Sequence, residues 1–210
     1  LAPAGVAILS MVLVARLGAG VTGIFGWYIL AICGLVVVVT LALYAAVLIR
    51  GRVPFRAWVR AVAPVQALAF GSRSSMAALP AEVAAAESLG QGPAVTGFVL
   101  PLAASVFRYT ATVAQVAGAV FVAWLYNIEL TTVQTTLMVV TSVLLTYSAP
   151  GIPSSALLVA LPLYQQLGLP PEGLGLLVAA DAVPDMFKTA SNVTAHMAVA
   201  AVVTPARIDE

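Results

Sequence analysis

The chain contains a long uncharged stretch of the kind that lies in lipid and not in water. From Gly18 to Ile49 no residue carries a charge, and a helix needs only about 20 apolar residues to cross a bilayer core. Apolar residues make up 62% of the 210 residues and charged residues only 8%, against about 25% charged in soluble domains. These features predict a multi-pass helical membrane protein. The net charge of +1 gives no indication of a nucleic-acid partner.

Apolar segments and turn residues divide the chain into a leading part, a core and a tail. Residues 1–56 are predicted to hold the end of one transmembrane helix, at Leu1–Ala15, and one full span. The core is predicted at 57–204, and a short charged tail at 205–210. Within the core we predict, in chain order, a hairpin at 57–90, a broken helix at 95–127, a second hairpin at 130–166 and a polar helix at 172–204.

Polar or proline-containing segments interrupt three apolar stretches of the core, at 71–75, 105–110 and 148–155. Irregular backbone at membrane depth is tolerated only where protein or a wet cavity surrounds it. We therefore interpret the first and third segments as tips of re-entrant hairpins, and the second as the break in a spanning helix. A hairpin followed by an interrupted or polar helix occurs twice. One membrane crossing separates the two hairpins, so they are expected to enter the membrane from opposite sides, which predicts inverted repeats.

Four arginines within residues 50–60 form the densest basic cluster. A nucleic-acid patch is the competing interpretation, but arginines beside a membrane span usually mark the cytoplasmic side. This cluster and the C-terminus are therefore predicted to be cytoplasmic. The predicted location is the cell membrane, which in a bacterium is the inner membrane.

The last predicted helix carries polar residues at helical spacing. They are Asp181, Asp185, Lys188, Thr189, Asn192 and His196. The spacing places them on one face, and each charge at a helix centre costs about 2.5–3.5 kcal/mol on insertion scales. With Arg73 and Arg108, cations in this region outnumber anions by one before His196 is counted. An anionic ligand is the natural complement.

Structural interpretations of the same residues stay open. Asp185 and Lys188 are one turn apart and could form an ion pair without a ligand. His196 could be a satisfied contact between helices or a proton carrier, since the ordinary pKa of histidine is about 6.5. An enzyme is not predicted, because the sequence contains no zinc-ligand spacing, phosphate loop or nucleophile elbow. No cofactor is predicted either.

Several separated motifs resemble the dicarboxylate/amino acid:cation symporter family, the glutamate transporter family. The similar segments are Ser72–Pro80, Phe98–Leu102, Gly151–Pro153 and Asp181–Thr194. The resemblance continues more weakly to residue 1, so the chain would correspond to the C-terminal half of the family. It implies an all-α integral membrane fold of inverted repeats, each with a re-entrant helical hairpin and an interrupted transmembrane helix. It also implies a homotrimer in the lipid bilayer.

The resemblance further implies roles for individual residues. Asp185 would contact a substrate amino group, Lys188 a side-chain carboxylate, and Thr189 and Asn192 the rest of the substrate. Main-chain groups at the two hairpin tips would close the site. With the cation at the helix break added, the predicted substrate-binding set is Ser74, Ser75, Arg108, Ile152, Asp185, Lys188, Thr189 and Asn192.

The chain departs from the family at the positions where relatives bind sodium. The family motif Asn-Met-Asp-Gly-Thr stands here as Phe107-Arg-Tyr-Thr-Ala111, and a further aspartate is replaced by His196. Hard cations prefer oxygen ligands, so these changes remove the best ones. We interpret Arg108 as a fixed charge that supplies part of what sodium supplies in relatives. The coupling ion is left open between H⁺ and Na⁺, and the candidate proton carriers are His196, Asp181 and Asp185.

The predicted function is symport of a small organic anion, a dicarboxylate or an acidic amino acid, by an alternating-access movement of the hairpin core. Lys188 stands where the family has arginine and lacks its bidentate fork, so the preferred substrate is expected to differ. The alternative is a non-transporting structural or sensory membrane subunit with the same fold.

Overall fold

The structure is a computed structural model, and it describes residues 19–148 and 152–204. The predicted helix end at Leu1–Ala15, Gly151 of the second predicted tip and the tail at 205–210 lie outside the described residues. Every regular element among the described residues is helical, and none of them is a strand. The predicted all-α class is thereby confirmed.

Short connections join the helices. In chain order the elements are α1 (Ala19–Arg50), α2 (Phe55–Ser72), α3 (Ser75–Ser88), a π-helical turn (Val95–Val99), α4 (Leu100–Val106), α5 (Tyr109–Leu125), α6 (Thr132–Thr146), α7 (Ser155–Leu158), α8 (Leu161–Gln166), α9 (Pro171–Ala180) and α10 (Ala182–Val203). Two stretches, Gly23–Arg50 and Val95–Leu125, have the length and apolar composition needed to cross a membrane.

Helix α1 leaves many large apolar side chains uncovered. Leu30, Leu41 and Ile49 are all largely exposed. Exposing apolar surface to water costs about 25 cal/mol per Å², whereas hydrocarbon accepts it at no cost. The surface of α1 is therefore suited to contact with lipid.

Arg73 and Ser74 connect α2 to α3, and each has a non-helical backbone conformation that ends or begins a helix. Arg73 is left-handed, with φ of 53°, and its N–H donates to the Ala69 carbonyl at 2.9 Å. Ser74 is extended, and its hydroxyl accepts a hydrogen bond from the Ala77 N–H as the N-cap of α3. One helix thus ends and the next begins within two residues.

Helices α9 and α10 divide the segment for which we predicted one polar helix, 172–204. The division lies at Asp181, between Ala180 and Ala182. Pro184 provides the physical reason, because it has no N–H to donate to the Ala180 carbonyl and its ring crowds that carbonyl. The final arm of the second predicted hairpin is likewise divided, into α7 and α8.

The described residues form two compact units. The first comprises 19–34, 111–148 and 154–185, and the second comprises 35–110, 152–153 and 186–204. In the first unit, the Tyr164 hydroxyl donates to the Gln115 carbonyl at 3.2 Å, and the Gln115 side-chain amide donates to the Ala156 carbonyl at 2.8 Å. These hydrogen bonds connect α5 to α7 and α8.

Trp58 anchors the second unit. Its side chain is fully buried, and its indole N–H donates to the Met197 carbonyl at 3.1 Å. Tyr44 packs edge-on against the indole, with ring centroids 5.0 Å apart. Trp58 therefore joins α2 to both α1 and α10 with one apolar body and one polar tip.

Gly118 of the first unit leaves no room for a side chain. A Cβ there would lie 2.6 Å from the Tyr164 hydroxyl oxygen and 2.8 Å from Leu177 Cδ1. We expect Gly118→Ala to destabilise the protein by about 1–3 kcal/mol through overpacking, measured as a lower melting temperature in detergent. Gly175→Ala is the matched control, because a Cβ at Gly175 meets nothing within 4 Å. Equal melting temperatures for the two variants would contradict this packing.

Candidate functional site

The predicted polar residues of the last helix are enclosed by protein. Asp181, Asp185, Lys188, Thr189, Asn192 and His196 are all buried. Asp181 lies at the joint before α10 and not within a continuous helix. Burial also extends beyond the single face that we predicted, since most side chains from 188 to 198 are covered. The polar stripe therefore lies on a helix packed by protein on more than one side.

In the second unit, the start of α5 is hydrogen-bonded to α10. The backbone N–H of Thr110 lies 3.4 Å from Asn192 Oδ1, and the Thr110 hydroxyl lies 3.0 Å from the same oxygen. That hydroxyl is also 3.4 Å from the Lys188 carbonyl, as a second acceptor. Asn192 thus uses its amide oxygen within the protein, and its amide N–H groups are the part that could donate to an anion.

Arg108 places a buried cation at the break between α4 and α5. Its Nε and Nη2 donate to the Ala104 carbonyl at 3.2 and 3.1 Å, and Nη2 also donates to the Ser105 carbonyl at 3.2 Å. These carbonyls lie at the C-terminal end of α4, where the helix dipole is negative. The guanidinium therefore compensates the carbonyl groups that the break leaves without helical partners.

Tyr109 extends a chain of neutral hydroxyl groups through the second unit. Its hydroxyl is hydrogen-bonded to Ser191 Oγ, which is in turn 2.5 Å from Thr40 Oγ1. The contacts join α5, α10 and α1. At this position of the helix break the chain therefore has a phenol and not a carboxylate. Among residues 19–148 and 152–204, no group of three His, Cys, Asp or Glu side chains is placed to hold a metal ion.

His196 has a carboxyl partner, Glu82, that was not predicted from the sequence. Its Nδ1 lies 3.1 and 3.3 Å from the two carboxylate oxygens of Glu82 on α3, and its Nε2 lies 3.0 Å from the Phe107 carbonyl. The available signal was a single carboxylate within the apolar run Ala81–Ala86, which is expensive at membrane depth. His196 is thus a contact between helices, one of the two interpretations offered, and its role as a proton carrier stays a prediction.

Asp185 binds backbone in the first unit. Its Oδ2 accepts a hydrogen bond from the Ser154 N–H at 3.2 Å. Ser154 is left-handed, with φ of 57°, and directly precedes α7. The carboxylate therefore holds the segment that enters α7.

The residues predicted to close the site differ in their surroundings. Ser74 caps α3, and the next residue, Ser75, is buried at the start of that helix. Ile152 is 59% exposed, so in this structure its side chain is largely uncovered. The roles of their main-chain groups in substrate binding stay predictions.

Comparison with known proteins identifies relatives along most of the chain. The sequence profile described as the sodium:dicarboxylate symporter family matches residues 1–205. The chain is 32% identical over 129 residues to the proton/glutamate-aspartate symporter of Escherichia coli (strain K12), which covers 61% of this chain and 30% of that protein. It is 34% identical over 141 residues to neutral amino acid transporter A of Homo sapiens, with coverage of 67% and 26%.

A third relative is the proton/sodium-glutamate symport protein of Bacillus caldotenax, 31% identical over 126 residues, with coverage of 60% and 30%. The chain therefore spans less than a third of the length of these three relatives. The match of the family profile, in contrast, leaves only the last five residues uncovered. The chain belongs to the sodium:dicarboxylate symporter family.

Proposed function

We propose that this chain forms the substrate-binding part of a secondary active symporter for a small organic anion. The observation that carries the proposal is the polar junction in the second unit, where Thr110 at the helix break contacts Asn192 Oδ1 and the main-chain carbonyl of Lys188 on α10. The side chain of Lys188 is buried as well. A buried ammonium group and amide N–H groups are suited to a carboxylate ligand. The substrate class is a dicarboxylate or an acidic amino acid, in keeping with the names of two relatives, which specify glutamate.

The proposed mechanism is alternating access by movement of a hairpin core. Helix α3 has 14 residues, which span about 21 Å at 1.5 Å per residue, whereas the hydrocarbon core is about 30 Å thick. An arm of this length supports a re-entrant hairpin of α2 and α3. We propose that the second hairpin enters from the opposite side, so that the two form inverted repeats.

The proposed coupling ion is a proton. Tyr109 and His196 offer a phenol and an imidazole at positions where the family resemblance implies sodium-binding carboxylates, and a hard cation such as sodium favours carboxylate oxygen. Arg108 supplies a fixed positive charge at the helix break. One relative is named for a proton and another for both a proton and sodium, and the proton common to both names supports this choice.

The proposed setting is a homotrimer in the cell membrane, the inner membrane in a bacterium. The arginine cluster at residues 50–60 would lie on the cytoplasmic side by the positive-inside rule. Crosslinking of the protein in native membranes tests the homotrimer. Labelling of cysteines introduced one at a time at Arg56 and Trp124 tests the orientation. Equal labelling of both positions from one side would contradict the orientation.

Uptake into liposomes tests the transport proposal. Full-length natural protein is reconstituted in sodium-free buffer, and accumulation of labelled aspartate, glutamate, succinate and fumarate is measured under an imposed proton gradient. We expect saturable accumulation that a protonophore abolishes, and a reduced rate in Arg108→Met. Sodium-stimulated uptake that ignores pH and survives Arg108→Met would contradict proton coupling. Absence of both uptake and binding under either ion would instead favour a non-transporting structural or sensory subunit.

A further inference from the structure

Glu82 and His196 form a carboxylate–imidazole pair with no exposure to solvent. Both side chains are 0% exposed, and Nδ1 of His196 faces both carboxylate oxygens at 3.1 and 3.3 Å. A buried charge is expensive unless it is paired and hydrogen-bonded. The pair therefore has to satisfy its own charges and hydrogen bonds within the protein.

The second ring nitrogen fixes how many protons the pair holds. Nε2 lies 3.0 Å from the Phe107 carbonyl, and a carbonyl oxygen can only accept, so Nε2 carries a hydrogen. Nδ1 and the Glu82 carboxylate then share one further proton. With it, either an imidazolium faces a carboxylate or a neutral imidazole accepts from a carboxylic acid. Without it, a nitrogen lone pair faces a carboxylate oxygen with no hydrogen between them.

Other charged groups on the surrounding elements do not replace this proton. On α3, Glu87 is exposed, and on α2, Arg56 and Arg60 are exposed. The π-helical turn and α4 contain no charged residue. Arg108 follows Phe107, and its guanidinium is hydrogen-bonded to the α4 carbonyls. On α10, Asp185 and Lys188 lie about three turns and about two turns before His196. Helix α1 carries no charge before Arg50.

The pair connects three elements that also build the proposed substrate site. Glu82 belongs to α3, Phe107 to the helix break, and His196 to α10, one turn after Asn192. Loss of the shared proton would replace an attraction between α3 and α10 with a repulsion. Proton occupancy and the arrangement of these elements are therefore thermodynamically linked, as any two coupled binding events are.

We propose that Glu82 and His196 bind the proton that is carried together with the anionic substrate. This inference rests on the proposed symport function and identifies the residues of its coupling site. One proton is taken up from one side by the nitrogen–carboxylate pair and is released to the other side. No other bond forms or breaks.

Glu82→Gln is the test variant, because its side-chain amide can donate to a neutral His196 Nδ1 without any titratable proton. Full-length protein is reconstituted in sodium-free liposomes with the membrane potential held at zero. For each variant, the ratio of inside to outside concentration of labelled glutamate or succinate is measured under the proton gradient. The rate of exchange at equal concentrations on both sides, measured separately, shows whether the variant still moves substrate. Glu87→Gln, at an exposed position of the same helix, is the matched control.

For a carrier that moves one proton per substrate, a gradient of one pH unit supports about tenfold accumulation, because a factor of ten corresponds to about 1.4 kcal/mol. We expect this ratio for the natural protein and for Glu87→Gln, and a ratio near one for Glu82→Gln. Accumulation by Glu82→Gln equal to that of the natural protein would overturn the inference. Exchange without proton-driven accumulation in the natural protein would overturn it while leaving the symport proposal standing with another ion. Absence of exchange and binding in the natural protein would overturn the proposed function itself.

A second measurement needs no variant. In weakly buffered, mildly alkaline detergent solution, a pH indicator reports protons taken up when saturating glutamate or succinate binds to the natural protein. We expect uptake approaching one proton per bound substrate, since substrate and proton stabilise the same arrangement. Substrate binding without proton uptake would overturn the inference even if Glu82→Gln failed to fold.

Discussion

Replacement of Lys188 with methionine is expected to weaken binding of succinate or glutamate by roughly 10- to 150-fold, since a hydrogen bond to a charged group contributes about 1.5–3 kcal/mol. Lys188 is the only lysine of the sequence and is 3% exposed on α10. Methionine keeps much of the apolar stem and removes the ammonium group. Equilibrium binding of the labelled anion to purified full-length protein measures the effect.

Two further variants test whether affinity depends on a positive charge at position 188 and not on the overall charge of the protein. Lys188→Arg keeps a buried cation and should bind within a few-fold of the natural protein, with a changed ranking of carboxylate substrates because of its planar fork. Arg60→Met removes a cation from an exposed position of α2 and should leave the affinity unchanged. Affinity of Lys188→Met equal to that of Arg60→Met would contradict a role for Lys188 in the anion site.

Replacement of Trp58 with alanine is expected to reduce the free energy of unfolding by about 3–5 kcal/mol, the usual cost of truncating a fully buried large aromatic side chain. The indole fills the space between α1, α2 and α10 and donates to the Met197 carbonyl. Its removal leaves both a cavity and a lost hydrogen bond. Denaturant unfolding in detergent, followed by circular dichroism, measures the change.

The controls for Trp58 use another tryptophan and a smaller change. Trp124 is 61% exposed, so Trp124→Ala should stay within about 0.5 kcal/mol, as surface substitutions usually do. Trp58→Phe keeps most of the apolar body and should cost about 1 kcal/mol through the lost hydrogen bond, together with a smaller packing loss. Equal stability of Trp58→Ala and Trp124→Ala would show that the indole does not anchor α2 to α10.

The sequence predicted features that depend on neighbouring residues. The interruption expected within 105–110 is found at Phe107 and Arg108, between α4 and α5. The polar residues of the last helix are buried as expected, because ionisable groups in an apolar segment must avoid hydrocarbon. Both features follow from composition over a few helical turns.

Features that depend on distant residues were not predicted. Glu82 and His196 are 114 positions apart, and a single sequence carries no information on which buried carboxylate meets which imidazole. The chain of hydroxyl groups through Tyr109, Ser191 and Thr40 likewise joins three separate helices. The division at Asp181 is different in kind, because Pro184 is a local signal for it that the prediction of one polar helix did not use.

In the proposed symport, the guanidinium at the helix break has a consequence for the energetics of transport. A transported cation binds on one side of the membrane and is released on the other, so each cycle uses the free energy of that cation's gradient. Arg108 is covalently attached, and its hydrogen bonds to Ala104 and Ser105 belong to the same segment of chain, so the group is never exchanged with either bath. A tethered charge can shape a ligand's affinity, but it delivers no driving force, and the steepest concentration ratio that such a carrier can sustain is set only by the ions it releases.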